Sequence, residues 1–487
     1  LALAIMCGAL MRVYPKQGIR IGHAEIRFPT WLDFWQEDTV TKVDMDAILR
    51  AGHMSRLDSL QRYREAQALE EEERRARERE EERIRQMLAA RKLQFAEDSK
   101  RLSLFQAQIE RLRSSGGQLR ILHFGDSQIE GDRISSYLRE KFQARLGGEG
   151  PGMIAPVPLA PTFSVQQSHS PNWKRYTRYG RQDTSIQHQR FGYLATFGQY
   201  GAITDSLASD STQSDTLKAW LEFQPSRQAY RHARRFEQVK LFFGHHKTPL
   251  QLEIWANDTL YKRERIAASD SMLIRSWYFP EQADKLRLTF SGLTSTEVYG
   301  ISLQGSTGVS FDNIPMRGAS GTIFRKLDPK QLGRMLRHEP VGLVLLQYGG
   351  NTVPYIRDAE HARQYAGRLR YQIRYLRRLL PQASFVLIGP SDMSEKEGTE
   401  FVSYEAVSWV RNALRDMALE EGIGFWDIYG AMGGRNSMPS WVSNDPPLAG
   451  PDHIHFTPKG ARQVAIWLNE AFEEVLFPQD SVNAQIN

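Results

Sequence analysis

The stretch Leu119-Arg120-Ile121-Leu122-His123-Phe124-Gly125-Asp126-Ser127 joins a short apolar segment directly to a Gly-Asp-Ser triplet. The apolar part has the length of a buried strand, and the residues from Asp132 to Leu146 follow the pattern of a helix. A serine between such a strand and helix lies at the carboxyl edge of a sheet, beside a helix N-terminus that can hold negative charge. The triplet alone is common, but this context makes Ser127 a candidate nucleophile.

Further along the chain, strand-like and helical patterns alternate. Leu343 to Tyr348 and Phe385 to Ile388 are apolar runs of buried-strand length. Helical patterns occur near residues 360–380, 404–421 and 458–474. Strands that alternate with helices predict a parallel sheet covered on both faces.

The segment from about Pro151 to Gly308 has a different character. Strand-like stretches such as Gln238 to Phe243, Leu250 to Trp255 and Leu286 to Phe290 are separated by turn residues, with little helical period. A set of active-site loops is the alternative, but about 150 residues without a core of their own would be unusual. The pattern therefore predicts a β-sandwich inserted at residues 151–304.

The region before the triplet predicts one long helix over residues 59–113, because it contains neither Pro nor Gly and is rich in Glu, Arg, Ala, Leu and Gln. Acidic residues stand four positions before basic ones, as in Glu71 and Arg75, which favours a helix. Its charged half is interpreted as a spacer, while the apolar stripe from Ile84 onward suits docking on a domain. A coiled-coil dimer is the alternative, although heptads are not sustained.

The N-terminal residues 1–20 open with a run of apolar or small residues, Leu1 to Met11, followed by Arg12 and Lys16. Eleven residues are fewer than the about 20 needed to span a bilayer. The chain also begins without Met, so we expect the remnant of a signal peptide or membrane anchor; an ordinary buried segment is the alternative. Residues 21–58 are interpreted as a connecting segment and residues 476–487 as a tail.

Composition excludes several classes of protein. The net charge of +6 arises from 63 Lys and Arg against 57 Asp and Glu, and no nucleic-acid-binding module is recognisable, so we expect no nucleic-acid partner. Cys7 is the single cysteine, which excludes an intramolecular disulfide framework and a thiolate metal cluster.

A second polar cluster lies near the other end of the chain, in Gly450-Pro451-Asp452-His453-Ile454-His455-Phe456-Thr457-Pro458-Lys459-Gly460. Thr457 as N-cap and Pro458 at the first helical position predict a helix start, with Asp452 and His455 on the loop before it. A serine needs an oriented base to become a nucleophile, and a carboxylate three residues before a histidine can orient the ring. A capped helix with incidental polar residues is one alternative. An Asp/His metal site is another, but no third ligand group is evident.

Together these segments resemble the GDSL/SGNH hydrolase family, over residues 118–150 and 305–475. The resemblance implies a flavodoxin-like three-layer α/β fold, the nucleophile Ser127 and the pair Asp452 and His455, with no cofactor or metal. Tyr348-Gly349-Gly350-Asn351-Thr352 looks like the block whose Asn donates to the oxyanion, although Thr352 stands where the family commonly has Asp. The segment Asn313 to Gly321 would supply the remaining block, so that Ser127, Gly318 and Asn351 form the oxyanion hole.

An SGNH domain split by a β-rich insert also looks like the bacterial peptidoglycan O-acetylesterases, and this resemblance implies that the insert at residues 151–304 is similar to a carbohydrate-binding jelly roll. The resemblance implies a serine esterase that removes O-acetyl groups from a cell-envelope polysaccharide through Ser127, His455 and Asp452. It further implies a periplasmic or extracytoplasmic location, with a membrane anchor at the N-terminus. Self-association is expected only under the coiled-coil alternative for the long helix. An SGNH O-acyltransferase and a non-catalytic glycan-binding scaffold are the alternatives.

Overall fold

The structure is a computed structural model that describes residues 2–27, 30, 43–100, 102–202, 216–279 and 281–478. The chain divides after Arg79 into two units. The first unit contains a helix, a hairpin and the beginning of a long helix: α1 (Ala2–Val13), β1 (Ile19–Ile21), β2 (Ala24–Ile26) and α2 (Met45–Ala90). In the described ranges, no helix combines the length and the apolar character needed to cross a membrane.

The long helix differs from its prediction at both ends. It starts at Met45, within the segment 21–58 interpreted as a connection, because the Asp44 carboxylate accepts a hydrogen bond of 3.0 Å from the Ala47 N–H and caps the helix. Residues 28, 29 and 31–42 of that segment lie outside the described part of the chain, as do residues 479–487 of the predicted tail.

The prediction of one helix over 59–113 is wrong, because α2 ends at Ala90 and a separate helix α3 covers Ser103–Ser115. In between, Gln94 is extended and exchanges two backbone hydrogen bonds, of 2.8 and 2.9 Å, with Phe425. Leu93 and Leu102 are buried on either side. The pairing with Phe425 therefore replaces helical hydrogen bonds that local propensity would favour.

After α3 come β3 (Gln118–Gly125), a 3₁₀ turn at Ser127–Asp132 and α4 (Ser135–Leu146). The inserted part follows, and its described residues form eleven strands: β4 (Gly152–Ile154), β5 (Val165–His169), β6 (Trp173–Thr177), β7 (Thr196–Tyr200), β8 (Leu217–Pro225), β9 (Gln238–His246), β10 (Leu250–Ala256), β11 (Thr259–Ile266), β12 (Ser269–Tyr278), β13 (Leu286–Gly292) and β14 (Glu297–Gln304).

These strands form two antiparallel sheets. One has the order β11-β10-β13-β8-β5, and the other has the order β12-β9-β14-β7-β6 with β4 paired to β14. Buried residues of both sheets, among them Leu221, Leu241, Leu252 and Leu288, share one apolar core. The prediction of an inserted β-sandwich is confirmed.

The chain then completes the α/β domain with these elements: β15 (Gly308–Pro315), α5 (Pro329–Leu336), β16 (Val341–Gln347), α6 (Ala359–Leu379), β17 (Ser384–Ile388), β18 (Ser394–Glu397), β19 (Glu400–Ser403), α7 (Glu405–Glu420), β20 (Gly424–Trp426), α8 (Ile428–Met432), α9 (Ser437–Ser443) and α10 (Pro458–Leu476). Short 3₁₀ turns lie between them, including Gly350–Tyr355 after β16.

A parallel five-stranded sheet in the order β15-β3-β16-β17-β20 forms the middle layer. Numbered along the chain this is 2-1-3-4-5, the flavodoxin-like order. Alternate strand residues pack to opposite sides: Leu122 and Phe124 lie in one apolar core with α6 and α7, while Leu119 and Ile121 lie in another with α3, α4 and α10. The predicted three-layer fold is confirmed, and its ligand crevice is expected at the carboxyl ends of β3 and β16.

A buried ionic network joins the parallel sheet to the sandwich. Arg120 of β3, which is 4 % exposed, binds Asp312 of β15 at 2.6 Å, Gln304 of β14 at 2.6 Å, and Glu339. Lys240 of β9 also pairs with Glu339. Each buried charge is thus matched by an opposite charge, as burial requires.

We predict that Arg120→Ala lowers the free energy of unfolding by about 3–5 kcal/mol, because it leaves Asp312 and Glu339 buried with their main partner removed. Urea denaturation followed by tryptophan fluorescence measures the change. Arg363→Ala is the matched control: Arg363 pairs with Glu360 on an exposed helix surface, where an ion pair contributes little. Equal changes in the free energy of unfolding for the two variants would show that the buried ionic network contributes no more to stability than an exposed ion pair.

Candidate active site

The predicted nucleophile stands in a sharp turn at the end of β3. The carboxylate of Asp126 accepts a hydrogen bond of 3.0 Å from the Gln128 N–H and so caps the 3₁₀ turn that begins at Ser127. A side chain at position 125 would meet the Ile129 side chain at 2.9 Å and the Gln347 carbonyl at 3.2 Å, so a larger residue there would force these neighbours to shift. The turn places Ser127 at the carboxyl edge of the sheet.

The predicted base and its orienting carboxylate lie on the loop before α10, as expected. Thr457 caps this helix by accepting from the Gly460 N–H at 3.2 Å. Ser127 Oγ lies 2.8 Å from His455 Nε2, and His455 Nδ1 lies 2.7 Å from Asp452 Oδ2. Since Nδ1 faces a carboxylate, it carries the ring proton, which leaves the Nε2 lone pair free to accept from the Ser127 hydroxyl.

Asp452 is held in its orienting position by the backbone. Its Oδ1 accepts from the N–H groups of Ile454 and His455, each at 3.1 Å. Burial opposes the charged form, but the hydrogen bonds from the His455 ring and from these two amides outweigh it and hold the pKa of Asp452 below its ordinary value. Asp452 is therefore ionised at neutral pH and can stabilise an imidazolium.

The neighbouring His453 faces away from the nucleophile. Its ring stacks on Phe401 with centroids 3.7 Å apart, and its carbonyl accepts from the Ser394 N–H at 3.1 Å. Its contacts hold the loop against the β18–β19 hairpin.

Asn351 lies in the 3₁₀ turn after β16, next to Asp126. Its Nδ2 donates to Asp126 Oδ2 at 3.1 Å and to the Ala319 carbonyl at 3.2 Å. Thr352, at the position where the resembled family commonly has Asp, donates from its hydroxyl to the Gly349 carbonyl at 2.7 Å and closes the turn locally. The amide of Asn351 thus borders the nucleophile turn, but both of its hydrogens are donated in this structure, so its role as an oxyanion donor stays a prediction.

Gly318 occupies the turn that follows β15, in the left-handed region with a φ of 74°. Because the next residue, Ala319, accepts from Asn351, this turn lies against the Asn351 side of the site. The turn is closed by a hydrogen bond of 2.9 Å from the Ala319 N–H to the Met316 carbonyl. The role of the Gly318 N–H as an oxyanion donor stays a prediction.

Asp126 itself is a site residue that the sequence reasoning missed. It is 4 % exposed, and burial raises the pKa of its carboxyl to about 6 despite the hydrogen bonds from Gln128 and Asn351. The signal in the sequence was its place within the Gly-Asp-Ser triplet. What the triplet does not reveal is that the carboxylate turns inward to Asn351, 225 positions away.

Two spaces meet at Ser127 and His455. The first is a cleft of about 190 Å³, whose walls include Tyr348, Asn351, Met393 and Ile454. The second is a groove of about 640 Å³. Its walls combine the nucleophile turn with the turn after β15 and two segments of the inserted part: Glu130 and Arg133, Arg317, and Pro161, Phe163 and Gln228. The nucleophile is therefore reachable from a small cleft and from a wide surface groove.

In the part of the chain that the structure describes, no group of three or more His, Cys, Asp or Glu side chains is arranged to hold a metal ion.

Comparison with known proteins relates part of this chain to a known family; Ser127 lies outside the matched residues. Residues 288–463 match the model of the GDSL-like Lipase/Acylhydrolase family, a range that includes Gly318, Asn351, Asp452 and His455. No curated protein sequence matches the chain. The match confirms the resemblance to the GDSL/SGNH hydrolases and the prediction of a hydrolase that acts on carboxylic esters.

Solved structures with similar folds include one named "Peptidoglycan O-acetylesterase in action, 5 min", with a TM-score of 0.59 and 21 % identity, covering 79 % of this chain and 99 % of that one. A family two carbohydrate esterase from Cellvibrio japonicus matches with a TM-score of 0.24 and 10 % identity, over 64 % and 98 % of the two chains. The salicylyl-acyltransferase SsfX3 from a tetracycline biosynthetic pathway matches with a TM-score of 0.28 and 12 % identity, over 66 % and 97 %. Only the first is similar enough to support the fold.

We predict that ionisation of the buried Asp126 carboxyl lowers the free energy of unfolding, and that Asp126→Asn, which cannot ionise, removes this pH-dependent loss. The folded-state pKa of about 6 lies above the ordinary value of 3.8, so the carboxyl favours the folded state at low pH and this contribution is lost as the pH rises through 6. Between pH 4 and 7.5, the free energy of unfolding of the wild type should therefore fall relative to the variant by about 2–3 kcal/mol. Urea denaturation at both pH values measures it.

Asp358→Asn serves as the control of opposite sign. The pKa of Asp358 is lowered, chiefly by a hydrogen bond from the His361 N–H, so its contribution grows with pH instead. A difference between wild type and Asp126→Asn that does not vary with pH would show that the Asp126 carboxyl is not buried as described.

Proposed function

We propose that this chain, a carboxylic-ester hydrolase with a GDSL-like lipase/acylhydrolase domain, removes O-acetyl groups from a cell-envelope polysaccharide, with peptidoglycan as the first candidate. The observation that carries the proposal is the hydrogen-bonded series Ser127–His455–Asp452 at the point where the cleft and the groove meet. The hydroxyl contacts one ring nitrogen of the histidine and the carboxylate contacts the other, which is the arrangement that acyl transfer through a serine requires.

In the proposed reaction, His455 Nε2 takes the proton of Ser127 while Oγ attacks the acetyl carbonyl carbon. The charged oxygen that forms is stabilised by the N–H groups of Ser127 and Gly318 and by the Asn351 amide, which must first release one of its two present acceptors, Asp126 or the Ala319 carbonyl. The imidazolium, held by Asp452, then gives its proton to the sugar oxygen as the carbon–oxygen bond breaks. Water, deprotonated by His455, attacks the acetyl-serine, and acetate leaves as Ser127 recovers its proton.

The two spaces support the choice of substrate. An acetyl group is small enough for the cleft of about 190 Å³, whereas a polysaccharide needs the open groove of about 640 Å³. The groove is lined by Phe163, by Gln228 and by the ion pair of Arg317 with Glu130, groups of the kinds that contact sugar rings and their hydroxyl groups. Because the chain is similar in fold to a peptidoglycan O-acetylesterase, peptidoglycan is the first substrate to test.

An extracytoplasmic location is part of the proposal, because its substrate lies in the cell envelope. The apolar and small residues at the start of the chain are consistent with export or anchoring.

The test is acetate release from O-acetylated peptidoglycan and from O-acetylated xylan by the wild type, by Ser127→Ala and by Ser408→Ala. The wild type should release acetate, with peptidoglycan preferred, and Ser127→Ala should not, because the nucleophile is gone. Ser408 bonds only the Glu405 carbonyl on the surface of α7, so its variant should retain full activity. Full activity in Ser127→Ala would disprove the proposed chemistry.

The same assay separates the other candidate activities. If adding unacetylated glycan diverts the acetyl groups from acetate to the added sugar, the enzyme is an acyltransferase. If a fluorophosphonate leaves Ser127 unlabelled and no acetate appears, the chain is a glycan-binding scaffold.

We predict that Asn351→Ala lowers kcat by about 10²–10³-fold with little change in KM, since an oxyanion donor acts on the transition state rather than on bound substrate. Steady-state kinetics on p-nitrophenyl acetate measures both constants. Asn412→Ala on α7, where the amide oxygen accepts from Arg411, is the control and should behave as the wild type. An increase in KM with unchanged kcat would instead assign Asn351 to substrate binding.

A further inference from the structure

We propose that Gln128 and Arg133 are positioning residues that fix the distance between Ser127 and His455. Both follow the nucleophile closely in the chain, and each holds one of the two backbone carbonyls that flank His455. The inference rests on the proposed function, since it concerns the same serine and histidine.

Gln128 holds the residue before the histidine. Its side-chain Nε2 donates to the Ile454 carbonyl at 2.6 Å and lies 3.2 Å from Ser391 Oγ. Its Oε1 accepts from the Phe456 N–H at 3.4 Å. One side chain, 8 % exposed, thus binds the backbone on both sides of His455.

Arg133 holds the residue after the histidine. Its Nη1 donates to the Phe456 carbonyl at 2.8 Å, and its Nη2 donates to the carbonyl of Ser127 itself at 2.7 Å. Its Nε donates to the Glu130 carbonyl at 2.9 Å. The rigid guanidinium fork therefore joins the nucleophile turn and the base loop in a single planar group.

The loop that carries the base is folded by its own contacts. The Gly450 N–H donates to the His455 carbonyl at 2.7 Å, and the His453 N–H donates to the Gly450 carbonyl at 3.0 Å. Phe456 packs against Trp441 with ring centroids 5.3 Å apart. Loss of Gln128 or Arg133 therefore leaves the loop folded but frees its position relative to Ser127.

This freedom matters because the chemistry depends on the position of the base. A proton passes from Ser127 Oγ to His455 Nε2 only within hydrogen-bond reach, and the distance here is 2.8 Å. A misplacement of about 1 Å can cost about 100-fold in rate.

The first test compares Gln128→Met and Arg133→Met with Gln143→Met. Gln143 is the matched control, because its buried amide also donates to two backbone carbonyls, those of Gly150 at 2.9 Å and Val309 at 3.2 Å, away from the site. We expect the first two variants to lose about 10- to 100-fold in kcat, with KM for p-nitrophenyl acetate within about twofold. Gln143→Met should keep the wild-type kcat.

The second test repeats Gln128→Met and Arg133→Met in a His455→Ala background and follows labelling of Ser127 by a small fluorophosphonate. If the two residues act by placing His455, their loss slows labelling in the wild type but has no further effect once the imidazole is absent. A purely structural defect, or lost contact with the glycan, would not depend on the imidazole in this way.

Arg133→Lys keeps the test decisive if a methionine variant fails to fold. It retains the charge and the aliphatic stem but loses the fork, so its kcat should lie between those of the wild type and Arg133→Met. Wild-type kcat in folded Gln128→Met and Arg133→Lys, or an equal loss in the His455→Ala background, overturns the inference. Either result can occur while Ser127→Ala is inactive, so failure of the positioning role is distinguishable from failure of the proposed function.

Discussion

The hydrogen bond from Ser127 to His455 joins two segments 328 positions apart, and the site depends on a sheet that brings these segments to one edge. In a parallel sheet, all strands deliver their following turns to the same side. The central strand β3 delivers Ser127, its neighbour β15 delivers the Gly318 turn, and its other neighbour β16 delivers Asn351. Only His455 and Asp452 arrive from a loop that is not the direct end of a sheet strand. Their placement therefore needs contacts of its own.

The insertion of a whole sandwich between α4 and β15 is compatible with this sheet because its two ends lie together. The Gly305 N–H donates to the Glu149 carbonyl at 2.9 Å, where the chain leaves and re-enters the α/β domain. A side chain at Gly148, where φ is 106°, would meet the backbone of Val309 at 2.3 Å. The two chain segments that connect the sandwich to the α/β domain thus lie side by side, like the two ends of a surface loop, and long insertions are tolerated at such positions. The Arg120 network then fixes the sandwich, so that its residue Phe163 can line a groove at the nucleophile.

Sequence reasoning succeeded where the signal is local. The strand before Ser127 and the capped helix after His455 are each encoded within a few residues, by an apolar run and by Thr457 with Pro458. It failed where a distant partner decides the local structure. The break after Ala90 is imposed by pairing of Gln94 with Phe425, and no residue near Gln94 interrupts the helical pattern. The contacts of Gln128 and Arg133 with the His455 loop belong to the same class, since each spans more than 320 positions.

The two carboxylates near the histidine show how environment assigns roles to identical groups. Asp452 is partly exposed, and hydrogen bonds from the His455 ring and two amides lower its pKa; it faces Nδ1 and keeps its charge for the imidazolium. Asp126 is buried, and this burial raises its pKa to about 6; it faces Asn351 and accepts from the amide whose second hydrogen goes to Ala319. Asp126 cannot take the place of Asp452, because its carboxylate is hydrogen-bonded to the Gln128 N–H in the turn that carries Ser127. Asp452 is instead hydrogen-bonded to the backbone of the loop that carries His455. The opposite pKa shifts of these two carboxyls thus follow from their surroundings: Asp452 is hydrogen-bonded to His455, whereas Asp126 is buried beside Asn351.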